Sequence, residues 1–370
     1  MPPRPRPQRL LSLDAFRGLT VAAMVLVNNP GTWRAVHPPL RHAAWHGWTL
    51  TDVIFPFFLF IVGVAVPLAL GPREEESGGR WVMGRVLWRS VVIFGLGIVL
   101  NGFPGFHWAT LRIPGVLQRI AVCYLVAAVL FLATSWRVNA LIASTLLLGY
   151  WVVTSVVPVP GYGAGDLSKE GNLAAYLDRT LLGPHLWQAT GVYDPEGMLS
   201  TAPALATVLF GVLTGYWLRS GRTPRAIAAG LALAGFVGLG LGQLWGQWFP
   251  VNKALWTSSY ALLMVGLALL ALAACYWLIE VQGYRRWAVP FVVLGVNALA
   301  LYFLSSLVAS LFILIRVGLD GPSLQAWLFD RVFAPWAMPV NASLAYALAY
   351  VLVWWGAMWV LYRRDIRLRV

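Results

Sequence analysis

The chain carries little charge for its length. Of 370 residues, 11% are Asp, Glu, Lys or Arg, where a globular surface normally needs about a quarter. That shortage excludes an ordinary water-soluble domain. Cysteine is nearly absent. Cys123 and Cys275 each lie inside an apolar run, which excludes a disulfide framework or zinc spacing and leaves two small buried hydrophobes. Acidic side chains are scarce too, 14 against 27 Lys and Arg, for a net charge of +13. Such a balance ordinarily raises nucleic acid as a partner. Here the positives fall in short segments between apolar runs, the pattern of topology signals and not of a phosphate-binding patch. No internal repeat is visible, so the inverted-repeat signature of many secondary transporters is missing.

What the sequence has in abundance is apolar length: 59% of it is hydrophobic. A spanning helix needs about 20 mainly apolar residues. Ten segments qualify, at 10–29, 50–70, 84–101, 114–134, 137–157, 199–219, 225–245, 254–280, 288–316 and 341–362. The expected fold is therefore an all-α integral membrane protein, a polytopic bundle of ten transmembrane helices forming one domain over 1–370. The basic stretch Met1–Arg9 precedes an apolar run, as in a signal peptide. Asp14 and Arg17 interrupt that run and no small-residue cleavage site follows, so it reads as a retained first helix. Ten spans put both termini on one side. Seventeen basic residues fall on that face, among them Arg4, Arg6, Arg9, Arg73, Arg80, Arg85, Arg89 and Arg369, against eight on the other. The positive-inside bias makes both termini cytoplasmic. The connection 158–198 then lies on the outer face as an extramembrane insertion. At about 40 residues it exceeds the usual loop length, and such loops are commonly functional. A short amphipathic helix fits Asn172–Leu182 within it.

Few polar groups interrupt the spans, and each has two readings. Asp14 and Arg17 stand three apart on the first helix, hence on one face. They form either a structural pair or, with Arg17 two turns in from the cytoplasmic end, a contact for donor phosphates, which suit a guanidinium. Asn28 either ends that helix before Asn29-Pro30-Gly31 or donates its amide to a reacting carbonyl. His37, His42 and His46 precede the second span, with Asp52 at its start, and an imidazole there can serve as base or nucleophile near neutral pH. Spacing does not choose among the three, and no Cys or carboxylate spacing supports a metal. Trp45 suits an interfacial belt. Gln118 and Arg119 sit just inside the fourth span, where Arg119 requires an anionic or carbonyl partner, either Asp52 or the oxyanion of an acyl transfer. Asn252 and Lys253 flank the eighth span on the outer side, and Asn297 lies mid-span in the ninth, where helix packing explains it.

His42–Asp52, Ser12–Leu19, Val27–Asn29, Arg112–Arg119, Tyr193–Gly197 and Pro250–Trp256 occur in order along the chain. Together they resemble the motifs of the heparan-α-glucosaminide N-acetyltransferase family of transmembrane acyltransferases. The resemblance implies acetyl-CoA as donor and a terminal glucosamine as acceptor in the best-known members, with a homodimer plausible. It also selects among the histidines, since the family's histidine stands three before a Trp and ten before an Asp, here His42 with Trp45 and Asp52. His42, Asn28 and Asp52 are expected to be catalytic, and Asp14, Arg17, Gln118 and Arg119 to hold the donor. Trp45, Asn252 and Lys253 are expected to contact an amino-sugar or glycan acceptor. A bacterial-type member would sit in the inner membrane with this loop facing outward. The competing expectations are a transporter using the same polar groups and a membrane scaffold in which they serve only packing.

Overall fold

The computed structural model describes residues 10–77 and 79–368, with side chains for all of these but 72–81. The topology signals Arg4, Arg6, Arg9 and Arg369 lie outside the described residues, as do the side chains of Arg73 and Arg80. The long helices run in the expected order: α1 (Leu11–Asn28), α2 (Ile54–Ser77), α3 (Gly79–Gly102), α4 (Val116–Ala133) and α5 (Trp136–Val156). After the two-residue strands β1 (Pro158–Val159) and β2 (Gly163–Ala164) come α6 (Leu173–Leu182), α7 (Thr201–Leu218), α8 (Pro224–Trp245) and α9 (Ser258–Tyr276). The chain ends with α10 (Val289–Val296), α11 (Ala298–Leu314), the single turn α12 (Leu324–Leu328) and α13 (Pro339–Arg363). Nine of the described helices are long and apolar enough to cross a bilayer, and the pair α10–α11 makes a tenth when taken together. The protein is an all-α membrane bundle.

The helices start where the sequence supplies a cap. Asn172, Thr223 and Thr257 each accept a hydrogen bond from the backbone N–H three residues on, opening α6, α8 and α9. The flanks facing away from the bundle are apolar: Leu141, Leu148 and Val152 on α5, Leu233 and Phe236 on α8, and Leu352 and Val353 on α13 are all exposed. A lipid environment requires such flanks, and it permits only helices whose backbone bonds close internally.

The span expected over 288–316 is broken. Its halves meet at Asn297 with a bend of 67°. The Asn297 amide does not serve packing alone: its Nδ2 donates to the Ile366 carbonyl at 3.1 Å and its Oδ1 accepts from Leu368 N–H at 2.9 Å. The segment after α13 is thus folded back against the break.

Small residues set the closest helix contacts, as is common where lipid removes a hydrophobic drive between helices. A Cβ at Gly63 of α2 would drive into the Val208 carbonyl of α7, and one at Gly211 of α7 into the Phe60 carbonyl of α2. We expect Gly63→Val to force α2 and α7 apart. Overpacking of this kind costs about 1–3 kcal/mol, read as a lowered melting temperature of the detergent-solubilised protein. An unchanged melting temperature would show that this contact tolerates a side chain.

Candidate active site

The turn before α2 is built around one carboxylate. Leu50–Val53 forms a 3-10 turn in which Thr49 and Asp52 make a reciprocal capping box. Asp52 is fully buried. Its Oδ2 accepts from the backbone N–H groups of Ala43 and Thr49, both at 3.0 Å, and from the Thr49 hydroxyl at 3.1 Å. Its Oδ1 is left for His42, whose Nδ1 lies 2.6 Å away. The Asp52 backbone carbonyl accepts from the Tyr260 hydroxyl at 2.6 Å, tying the turn to α9. A carboxylate accepts only, so the Nδ1–H of His42 donates and its Nε2 lone pair points elsewhere. The imidazole is half-exposed, so Asp52 fixes the ring while leaving it reachable.

The other two histidines lack this arrangement. His37 pairs with the Asn341 amide at 3.0 Å on the surface. His46 lies beside Trp45 with its Nδ1 3.4 Å from Asn252 Nδ2, and burial lowers its pKa. Of the three, His42 is the one bonded to a carboxylate.

Lys253 joins the pair from the loop ahead of α9. Its Nζ lies 3.0 Å and 3.3 Å from the two ring nitrogens of His42 and 3.5 Å from Asp52 Oδ1. Lys253 therefore sits on the His42–Asp52 pair itself. Burial lowers its pKa, and the Asp52 carboxylate opposes that shift. The loop is locked around it. Asn252 pairs with Gly47 in an isolated bridge, its N–H donates to the Thr257 hydroxyl at 3.0 Å, and its Oδ1 accepts from Leu255 N–H at 2.9 Å. Trp256 is buried with φ +50, a left-handed backbone that a large L-residue holds only under strain.

The 158–198 connection packs against this region. Trp45 Nε1–H donates to the Leu167 carbonyl at 2.8 Å, meets Tyr193 edge-on at 5.0 Å, and lies under the Lys169 ammonium at 5.8 Å. Arg112 anchors the far end of the connection. It holds Asp194 through two bonds of 2.8 and 2.6 Å and Glu196 through one of 2.6 Å, while stacking over Trp187.

Arg119 does not meet Asp52, contrary to one reading of the sequence. Its Nη2 donates to the Gly197 carbonyl at 3.0 Å and the Ser200 hydroxyl at 2.5 Å, and its guanidinium lies over Trp256. It is fully buried, with Nε and Nη1 unpartnered among the described residues, as is Nε2 of Gln118. Gln118 packs onto Gly97 and Gly115. Neither residue lines the cavity that receives Arg17.

That cavity, of about 610 Å³, opens among α1, α2, α3, α4 and the α10–α11 break. Arg17, Arg85 and Arg89 line it, with Asn297 and Leu368. Arg17 reaches it while paired with Asp14 at 3.2 Å. Its apolar wall runs along α2 from Leu70 to Phe58, about 18 Å at 1.5 Å per residue. Phe58 stands six residues after Asp52, so the inner end of the cavity comes within roughly 9 Å of the His42–Asp52 turn measured along the helix. Sequence reasoning missed Arg85 and Arg89 as site residues because they read as topology charges. Their i, i+4 spacing, which puts both on one face of α3, was the available signal. Asn28 ends α1 with its side chain exposed, while Asn29, whose amide donates to the Val25 carbonyl at 2.7 Å, closes the helix.

Asp178 of α6 is buried within the 158–198 connection, accepting from Met198 N–H at 2.9 Å. Burial raises its pKa from 3.8 to about 6, the Met198 bond opposes the shift and Asp194 adds to it. A raised folded-state value means that the folded protein holds this proton more tightly than the unfolded chain. The stability it contributes is full below 3.8 and is lost as pH rises through about 6. We expect the melting temperature of the wild type, relative to Asp178→Asn, to fall over that window. Parallel melting curves would contradict it.

Residues 9–240 match the family model for the catalytic region of heparan-alpha-glucosaminide N-acetyltransferase. The human protein of that name is 31% identical over 80% of this chain and 52% of its own length. The mouse protein is 30% identical over 80% of this chain and 53% of its own. The chain spans about half the length of these curated relatives. A buried carboxylate orienting one imidazole, an arginine-lined cavity behind it and a match over most of the chain lead to one conclusion: this chain belongs to the heparan-alpha-glucosaminide N-acetyltransferase family.

Proposed function

We propose that this chain is a transmembrane acetyltransferase that moves an acetyl group from acetyl-CoA to the amine of a terminal glucosamine. The relatives' names motivate donor and acceptor. The observation that carries the reading is the placement of the oriented His42 ring near one end of a cavity whose lining includes three arginines. The anionic end of the donor binds Arg17, Arg85 and Arg89, where guanidinium groups meet phosphate oxygens in forked geometry. The slim pantetheine arm follows the apolar wall toward Phe58 and brings the thioester to His42. The cavity opens to the cytosol, where both termini lie, and His42 faces the outer side of the plasma membrane.

Nε2 of His42 then takes the proton of the attacking amine, or attacks the thioester carbon itself. Asp52 stabilises the imidazolium that forms and prevents the ring from rotating away. The exposed Asn28 amide at the outer end of α1 donates to the oxyanion. Trp45, held by Leu167 and Tyr193, offers an aromatic edge to the sugar, and Asn252 backs the neighbouring His46.

We expect His42→Ala to lower kcat by roughly 10²–10⁴, the usual contribution of a positioned acid–base group, without loss of fold. Asp52→Asn should fall less far. An active His42→Ala enzyme would place the chemistry elsewhere. Arg17→Ala removes a charged contact of about 1.5–3 kcal/mol and should raise the KM for acetyl-CoA with little change in kcat. A pure fall in kcat would move the donor away from Arg17. Purified protein that neither binds nor hydrolyses acetyl-CoA but carries a polar solute across vesicles would replace the enzyme with a transporter.

A further inference from the structure

Two of the 27 basic side chains are lysines, Lys169 and Lys253; every other one is arginine. One of the two stands against the imidazole that the proposed reaction uses, its Nζ 3.0 Å and 3.3 Å from the ring nitrogens. A primary amine is thus already present where an acceptor amine must arrive to receive the acetyl group.

We propose that Lys253 is a self-acetylation site, taking the acetyl group from acetyl-CoA when no sugar acceptor is bound. The inference rests on the reading of His42 as the group that meets the thioester. Its geometry is independent of the sugar. Nζ stands 3.3 Å from Nε2 of His42, so a carbonyl carbon delivered to that nitrogen arrives beside the amine, and attack proceeds once the two are about 3–3.5 Å apart. The amine is nucleophilic only when neutral, and burial favours that form while Asp52 opposes it. Arginine in its place would stay charged and unreactive. The neighbouring backbone gives the side chain little freedom to retreat, because Asn252 is bridged to Gly47 and Trp256 closes the turn with φ +50.

The step balances. The ammonium first gives one proton to His42 and becomes an amine. The Nζ–C bond forms and the thioester C–S bond breaks, while Nε2 of His42 holds the proton it took from the ammonium. The second amine proton leaves as the amide forms, and the CoA thiolate departs as the thiol. Nothing is oxidised or reduced. The product amide has lost the positive charge beside Asp52 and places an acetyl group in front of Nε2. Such a chain no longer accepts a sugar, so an abundant donor with scarce acceptor switches the enzyme off.

The test uses the full chain in detergent, incubated with acetyl-CoA and no sugar, then digested for peptide mass mapping and assayed with glucosamine. The expected result is one acetyl group per chain at Lys253, one CoA thiol released per modification, and progressive loss of glucosamine acetylation. Glucosamine present from the start should protect. Lys253→Arg should show no time-dependent loss relative to its own starting rate, and His42→Ala should leave Lys253 unmodified. An unmodified Lys253 in a protein that still acetylates glucosamine in a His42-dependent way would overturn the proposal alone. Acetylation of Lys253 no faster than that of exposed Lys169, or equal in His42→Ala, would also overturn it, as mere chemical reaction with the donor. Acetylation of glucosamine that survives His42→Ala would instead defeat the reading on which the inference stands.

Discussion

The buried Asp52 carboxylate is the constraint around which the site is arranged. An ionised group at the boundary of an apolar bundle is tolerated only when its lone pairs are satisfied. Here one oxygen takes three donors from the loop and capping box, and the other takes His42. The same four bonds start the helical entry into α2 and set the tautomer of the His42 ring. Local folding and candidate chemistry therefore rest on one side chain, and the loop bearing His42 cannot rearrange without uncapping the turn.

The second element is separation of polarity along the bundle. The cavity carries arginines from α1 and α3 together with an apolar wall along α2. A molecule with an anionic head and a long uncharged arm matches that gradient better than a small polar solute does. The 158–198 connection covers the other face, clamped by Arg112 on Asp194 and Glu196 and resting on Trp45. The arginine-lined cavity and the 158–198 connection thus lie on different sides of the His42–Asp52 turn, the arrangement that the proposed transfer calls for.

The bundle was largely legible in the sequence, because a span of about twenty apolar residues has few folds open to it. The expected segment 225–245 corresponds to α8 at Pro224–Trp245, and the short helix expected over Asn172–Leu182 is α6. What escaped was tertiary. Apolar length carries no record of bending, so the 67° break at Asn297 read as a straight span. Arg119 had a plausible anion in Asp52 by depth alone, but Ser200 and the Gly197 carbonyl stand nearer. Lys253 is 211 residues from His42, and no local pattern could bring them together. The choice of His42 over His37 and His46 came from the motif; its contact with Asp52 appears only in the folded chain.

The central claim is that a single passage joins the arginine-lined cavity to the His42 ring. A structure of the protein with coenzyme A bound tests it most directly. The account predicts the phosphates against Arg17, Arg85 and Arg89 and the thiol within reach of His42 Nε2. Coenzyme A bound outside this cavity, or within it but with its thiol directed away from the ring, would contradict it.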